Sequence, residues 1–125
     1  MPLDPLWVPI RFAMYAPAYL EGIRLFNAGQ YWHAHEQWEL CWRAASGDDA
    51  LFYKAIIQAA AALVKWQQGN TRGLARNWAK SRARLDQLPD RFHGLDLAAL
   101  RAQLDLICSG ASDAPPLLHL DSSPL

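Results

Sequence analysis

The chain has 125 residues, 52% of them apolar, with six tryptophans and 12 basic against 12 acidic side chains, a formal charge of zero. That length fits one domain, and the apolar share excludes a disordered chain. Neutrality removes the usual electrostatic reason to expect nucleic acid or an anionic membrane as the main partner.

The opening stretch "MPLDPLWVPIRF" has no basic start, and prolines at 2, 5 and 9 interrupt its apolar residues. It does not read as a signal peptide, and residues 1–16 read as an irregular segment. Pro17 suits the first turn of a helix running to about Ala28, closed by Gly29. A second helix covers about 30–46 and stops at Gly47. Asp48 or Asp49 caps a third, about 50–68, ended by Gly69. Asn70 or Thr71 caps a fourth, about 72–87, which stops before Pro89. Asp96 caps a fifth, about 97–109, ended at Gly110, and residues 111–125 read as an irregular tail.

The third helix is apolar nearly all round, through Leu51, Phe52, Ile56, Ile57, Ala59, Ala60, Leu63 and Val64, which marks it as central. Joints of a few residues make its neighbours antiparallel. No period-two pattern rich in β-branched residues competes, and no repeat of solenoid length stands out. The expected fold is all-α: a single bundle of about five helices over 17–110. No uncharged apolar run approaches the roughly 18 residues of a membrane helix. Cys41 and Cys108 form neither a CxxC motif, a zinc spacing nor a disulfide framework. A soluble, cytoplasmic protein is therefore expected.

The second helix, "YWHAHEQWELCWR", concentrates the polar chemistry. On a helical wheel Tyr31, Ala34, Trp38, Trp42 and Ala45 make its buried face, with His35 just inside the edge and Glu39 just outside. His35 and Glu39 are neighbours at i, i+4, as are Glu39 and Arg43, and Glu36 is within reach. Such clusters are enriched at functional sites, so His35, Glu36 and Glu39 are the candidate catalytic residues. Trp38, Arg43, Gln58, Asn70 and Arg72 are candidate ligand contacts. A plainer reading is a structural hydrogen bond that satisfies an imidazole under aromatic cover.

A metal needs more than this helix offers. His-x3-Glu supplies two ligands, and a catalytic zinc wants three and an open position. The third helix presents Lys54, Gln58 and Lys65 on its polar stripe, and an ammonium repels a divalent cation. His93 and His119 remain as remote donors, so no metal and no cofactor is expected. Cys41 falls at the margin of the packed face, where a buried thiol is inert. His33 points away from it.

Arg72, Arg76, Lys80 and Arg84 recur at i+4 with Arg82 nearby and no acid between 72 and 85. At zero net charge a solvated or salt-bridged face is the expectation, and nucleic acid is disfavoured. The "GNTRG" joint at 69–73 offers free N–H groups beside Arg72, although a compact turn explains it equally.

The stretches "FNAGQYWHAHEQWELCWR" (26–43), "AIIQAAAAL" (55–63) and "GNTRG" (69–73) together resemble the helical bacterial and archaeal family catalogued as domain of unknown function 309. The family's motif positions fall on Asn27, Gly29, His35, Glu36, Glu39, Trp42, Gln58, Gly69, Asn70 and Gly73. The resemblance implies an all-helical fold and no established activity. His33 stands where the family usually has Glu, Ala55 where it has Gly, and Lys65 where many members have His. The lysine removes a third metal ligand. The expected protein is a small helical module with a half-buried His/Glu/Arg cluster that is structural or binds a small molecule or protein partner. Self-association is compatible with it. The alternative is a metal-dependent hydrolase with His35 and Glu39 as ligands and Glu36 as general base.

Overall fold

The computed structural model describes residues 15–121, so almost all of the irregular segment 1–16 and the last four residues of the tail lie outside the described residues. Five helices follow in order: α1 (Pro17–Asn27), α2 (Tyr31–Arg43), α3 (Gly47–Gln67), α4 (Thr71–Leu85) and α5 (Leu97–Cys108). The architecture is an all-α bundle.

The termini follow local chemistry. Pro17 occupies the first turn of α1, where its missing N–H costs nothing. Asn70 accepts from Gly73 N at 2.8 Å, and Asp96 accepts from Ala99 N at 3.0 Å, each satisfying an orphan donor of its helix. The α2–α3 joint differs from expectation. α2 stops at Arg43, α3 starts at Gly47, and Ser46 holds the N-cap position with no side-chain bond. Asp48 and Asp49 sit inside the first turn, where they complement the helix dipole instead of capping it.

α3 is the central helix. Ala55, Ala59, Ala60 and Ala62 are fully buried with Phe52, Ile56 and Leu63. Their small side chains let α4 come close enough for the buried Ser81 hydroxyl to donate to the Ala55 carbonyl at 2.7 Å. Across α1 and α2 the contact is tighter still. Gly22 faces the Trp38 indole, and a Cβ placed on Gly22 would lie 2.1 Å from Trp38 Nε1. That same nitrogen donates to the Tyr19 carbonyl at 3.2 Å.

Two features have no counterpart in the helical pattern. Residues 91–96 form a two-stranded hairpin, β1 (Arg91–Phe92) and β2 (Leu95–Asp96), paired Arg91 with Asp96 and Phe92 with Leu95. Its two-residue turn, His93 and Gly94, has positive φ at both positions, the geometry of a tight primed turn. The irregular residues after α5 are tied to the bundle. The Asn27 carboxamide bonds both the N–H and the carbonyl of Leu118 at 2.7 Å. Gln103 does the same to Leu117, at 2.9 and 3.1 Å. Leu118 is buried in the core.

Two predictions follow from this packing. Gly22→Ala should destabilise by about 1–3 kcal/mol, because the methyl group meets a ring that is itself fully buried. Urea denaturation measures it, and unchanged stability would mean that α1 slides freely over Trp38. Burial also pushes the Tyr19 and Tyr53 phenols well above their ordinary value. A raised folded-state pKa contributes stability that is complete below the unfolded value and is lost as pH climbs past it. Stability should therefore hold through neutral pH and fall above about pH 10, by up to roughly 1.4 kcal/mol per pH unit for each phenol. Thermal melts between pH 8 and about 11 check this.

Candidate functional site

The site is built on α2, and its orientation is set by what α2 buries. Tyr31, Ala34, Trp38 and Cys41 face the core. The wheel put Trp42 inside and Cys41 at the margin, and the structure reverses the two. Cys41 packs inward beside the Tyr53 hydroxyl, and burial pushes its thiol up, which leaves it inert. Trp42 is 36% exposed and carries the Lys54 ammonium 4.7 Å from its ring centre, a cation–π contact.

His35 lies at the edge between these faces. Its ring stacks on the 56%-exposed Trp32 at 5.0 Å and 10°. Its Nε2 approaches Glu39 Oε1 at 3.5 Å, and the two side chains are 22% and 25% exposed. At that separation the contact is electrostatic more than a short hydrogen bond. The other ring nitrogen, Nδ1, is buried and has no hydrogen-bond partner among the described residues. In either tautomer that nitrogen is a polar atom shut away from water. It costs stability.

The rest of the expected cluster disperses. Glu36 pairs with His33 at 3.1 Å on the solvent side and not with His35. Arg43 is exposed and has no ion pair among the described residues. Trp38 is fully buried and out of reach of a ligand. Gln58 accepts from Arg84 Nη1 at 3.0 Å, Asn70 is occupied as a cap, and Arg72 is exposed. On α4, Arg82 meets Asp105 at 3.2 Å, while Arg76 and Lys80 are exposed. Among the described residues no three His, Cys, Asp or Glu side chains converge as a metal site would require.

Most of the other motif positions have an architectural task. Gly29 and Gly69 end their helices at positive φ, where glycine is strain-free. A side chain on Gly73 would run into the Lys65 stem at 2.8 Å. Asn27 clasps residue 118. With these subtracted, His35, Glu36 and Glu39 are the motif residues with no full structural account.

A second histidine cluster escaped the sequence reading. His93 Nε2 contacts Asp49 Oδ1 at 2.9 Å, and its carbonyl accepts from the Tyr19 hydroxyl at 2.7 Å. Its ring stacks on Tyr53 at 5.7 Å. The available signal was the His93–Gly94 pair between Phe92 and Leu95, a two-residue turn between apolar positions. Next to it, a cleft of about 490 Å³ is lined by Arg91, Asp96, Gln103 and His119. It lies away from the α2 residues.

The molecule is thus a helical bundle whose unassigned polar motif residues sit on the outer edge of one helix. Residues 19–77 match the family described as Domain of unknown function (DUF309). The chain is 30% identical over 81 residues to an "Uncharacterized protein" of Aquifex aeolicus (strain VF5), a match covering 64% of this chain. The chain spans about a quarter, 24%, of that relative's length. Neither match carries an activity. No helix among the described residues is long and apolar enough to cross a membrane.

If His35 is retained at a cost, removing the stranded nitrogen should help. His35→Phe keeps the stack on Trp32 and gives up only a partly exposed 3.5 Å contact with Glu39. It is expected to stabilise by about 1 kcal/mol, the lower range for relieving a buried unsatisfied group. A loss of stability of that size in thermal denaturation would make His35 a structural residue.

Proposed function

We propose that the protein is a non-catalytic helical binding module in which Trp32, His35 and Glu39, along the outer edge of α2, contact a small-molecule or protein partner. The observation that carries this reading is the Trp32 ring, 56% exposed and stacked on the half-buried His35 beside Glu39. The exposed face of that ring supplies the kind of rigid aromatic contact that dominates interfaces. The metal-hydrolase alternative needs Glu36 to act with His35 and Glu39, and Glu36 is engaged by His33.

Elemental analysis of the purified protein separates the two. The binding-module reading expects zinc, iron and manganese far below one atom per chain. Near-stoichiometric metal that is lost in His35→Ala would replace it with the hydrolase.

A further inference from the structure

From Ala50 to Leu85 the chain contains no Asp or Glu, yet Lys54, Lys65, Arg72, Arg76, Lys80, Arg82 and Arg84 all fall there. That stretch is most of α3 and all of α4. Formal neutrality is therefore an average of two unlike parts. The stretch carries +7, and the remainder, with five basic and twelve acidic residues, carries −7.

Of the seven cations, Arg82 alone has a carboxylate partner among the described residues, Asp105. Arg84 rests on Gln58 and Lys54 on Trp42, contacts that leave their charge uncompensated. Arg72, Arg76 and Lys80 are exposed and climb α4 in steps of about 6 Å. The Lys65 stem lies against Gly73, next in sequence to Arg72.

What separates these cations narrows the partner. Ala75, Ala79 and Ala83 are the exposed residues between them. Specific protein interfaces are anchored by buried aromatic or large apolar side chains, and this face has none. Proteins that hold single strands add aromatic platforms for the bases. Here Trp78 is buried and bonded to Asp105, and Trp42 carries Lys54 on its ring. A cationic face without apolar anchors fits a regular array of phosphates.

We propose that the outer face of α4, with the adjoining Lys65 of α3, binds the phosphate backbone of double-helical nucleic acid without reading its sequence. The proposal is independent of the α2 edge and uses none of its residues.

Fluorescence anisotropy with a labelled mixed-sequence DNA duplex of about 20 base pairs tests it, titrated at salt from about 50 to 200 mM. Four phosphate contacts, from Lys65, Arg72, Arg76 and Lys80, predict an affinity loss of roughly a hundredfold over that range. Arg76→Gln with Lys80→Gln should weaken binding and lower the log–log salt slope by about two. Arg82→Gln, which removes a cation already held by Asp105, should leave the slope near the parent value. Among the described residues Arg76 and Lys80 make no ion pair, so an unaltered circular dichroism melt is expected for the double variant. Absence of binding at low salt, or a slope indifferent to the double variant, overturns the proposal. Equal competition by polyglutamate would assign the face to an acidic protein, and tighter binding of the single strand would assign it to unpaired nucleic acid.

Discussion

The contact of Trp38 with Gly22 is the constraint on which the polar chemistry of this protein depends. A glycine on α1 admits the indole edge, and the indole nitrogen closes on the Tyr19 carbonyl. With Trp38 fixed, α2 cannot turn about its axis. Its rotation then places Cys41 inward, Trp42 outward and His35 at the boundary. The half-covered state of His35 and Glu39 is thus a consequence of packing one turn away. A one-position rotation would drown the pair in solvent or bury a carboxylate without a partner, which is costly.

α3 imposes the second constraint. A helix that buries most of its circumference needs neighbours on several sides, and its alanines set how near they come. What remains outside is a narrow stripe with Lys54, Gln58 and Lys65, and α4 adds its own row of cations beside it. Because no acid occurs from Ala50 to Leu85, the stripe and the row reinforce one another. The same residues that make α3 a spine leave the charge of the molecule segregated.

Five helices were legible in the sequence because each combines an apolar period with a stop residue of known geometry. Asn70 and Asp96 cap as expected, and Gly29 and Gly69 close helices at positive φ. The α2–α3 joint was misplaced by a few residues, since Asp48 and Asp49 are equally at home as caps or in a first turn. The hairpin at 91–96 escaped because two-residue strands carry no period, leaving His93–Gly94 as the sole signal. At the candidate site, the i, i+4 spacing of His35 and Glu39 was readable. The pairing of Glu36 with His33 was not, because both i, i+3 partners lie on one exposed arc and side-chain choice there is decided by rotamer and solvent. The His93 cluster depends on Asp49, 44 residues away. No local pattern encodes such a meeting.

The extent of the family match bears on what the motif is for. It ends at residue 77, before Trp78, Ser81, Leu85, Leu100 and Leu104, all of which are buried in the core. A segment limited to 19–77 would expose the flank of α3 that these residues cover, and a helix apolar nearly all round does not stand in water unpartnered. The matched stretch is therefore a framework that requires covering by whatever chain follows it. Asn27 illustrates the arrangement: a motif residue inside the framework, it bonds both backbone groups of Leu118, far outside it. Its carboxamide imitates a strand edge and accepts backbone without regard to side chain. His35 and Glu39, by contrast, depend on α1, α2 and α3 alone, so the edge they form is independent of how the framework is completed.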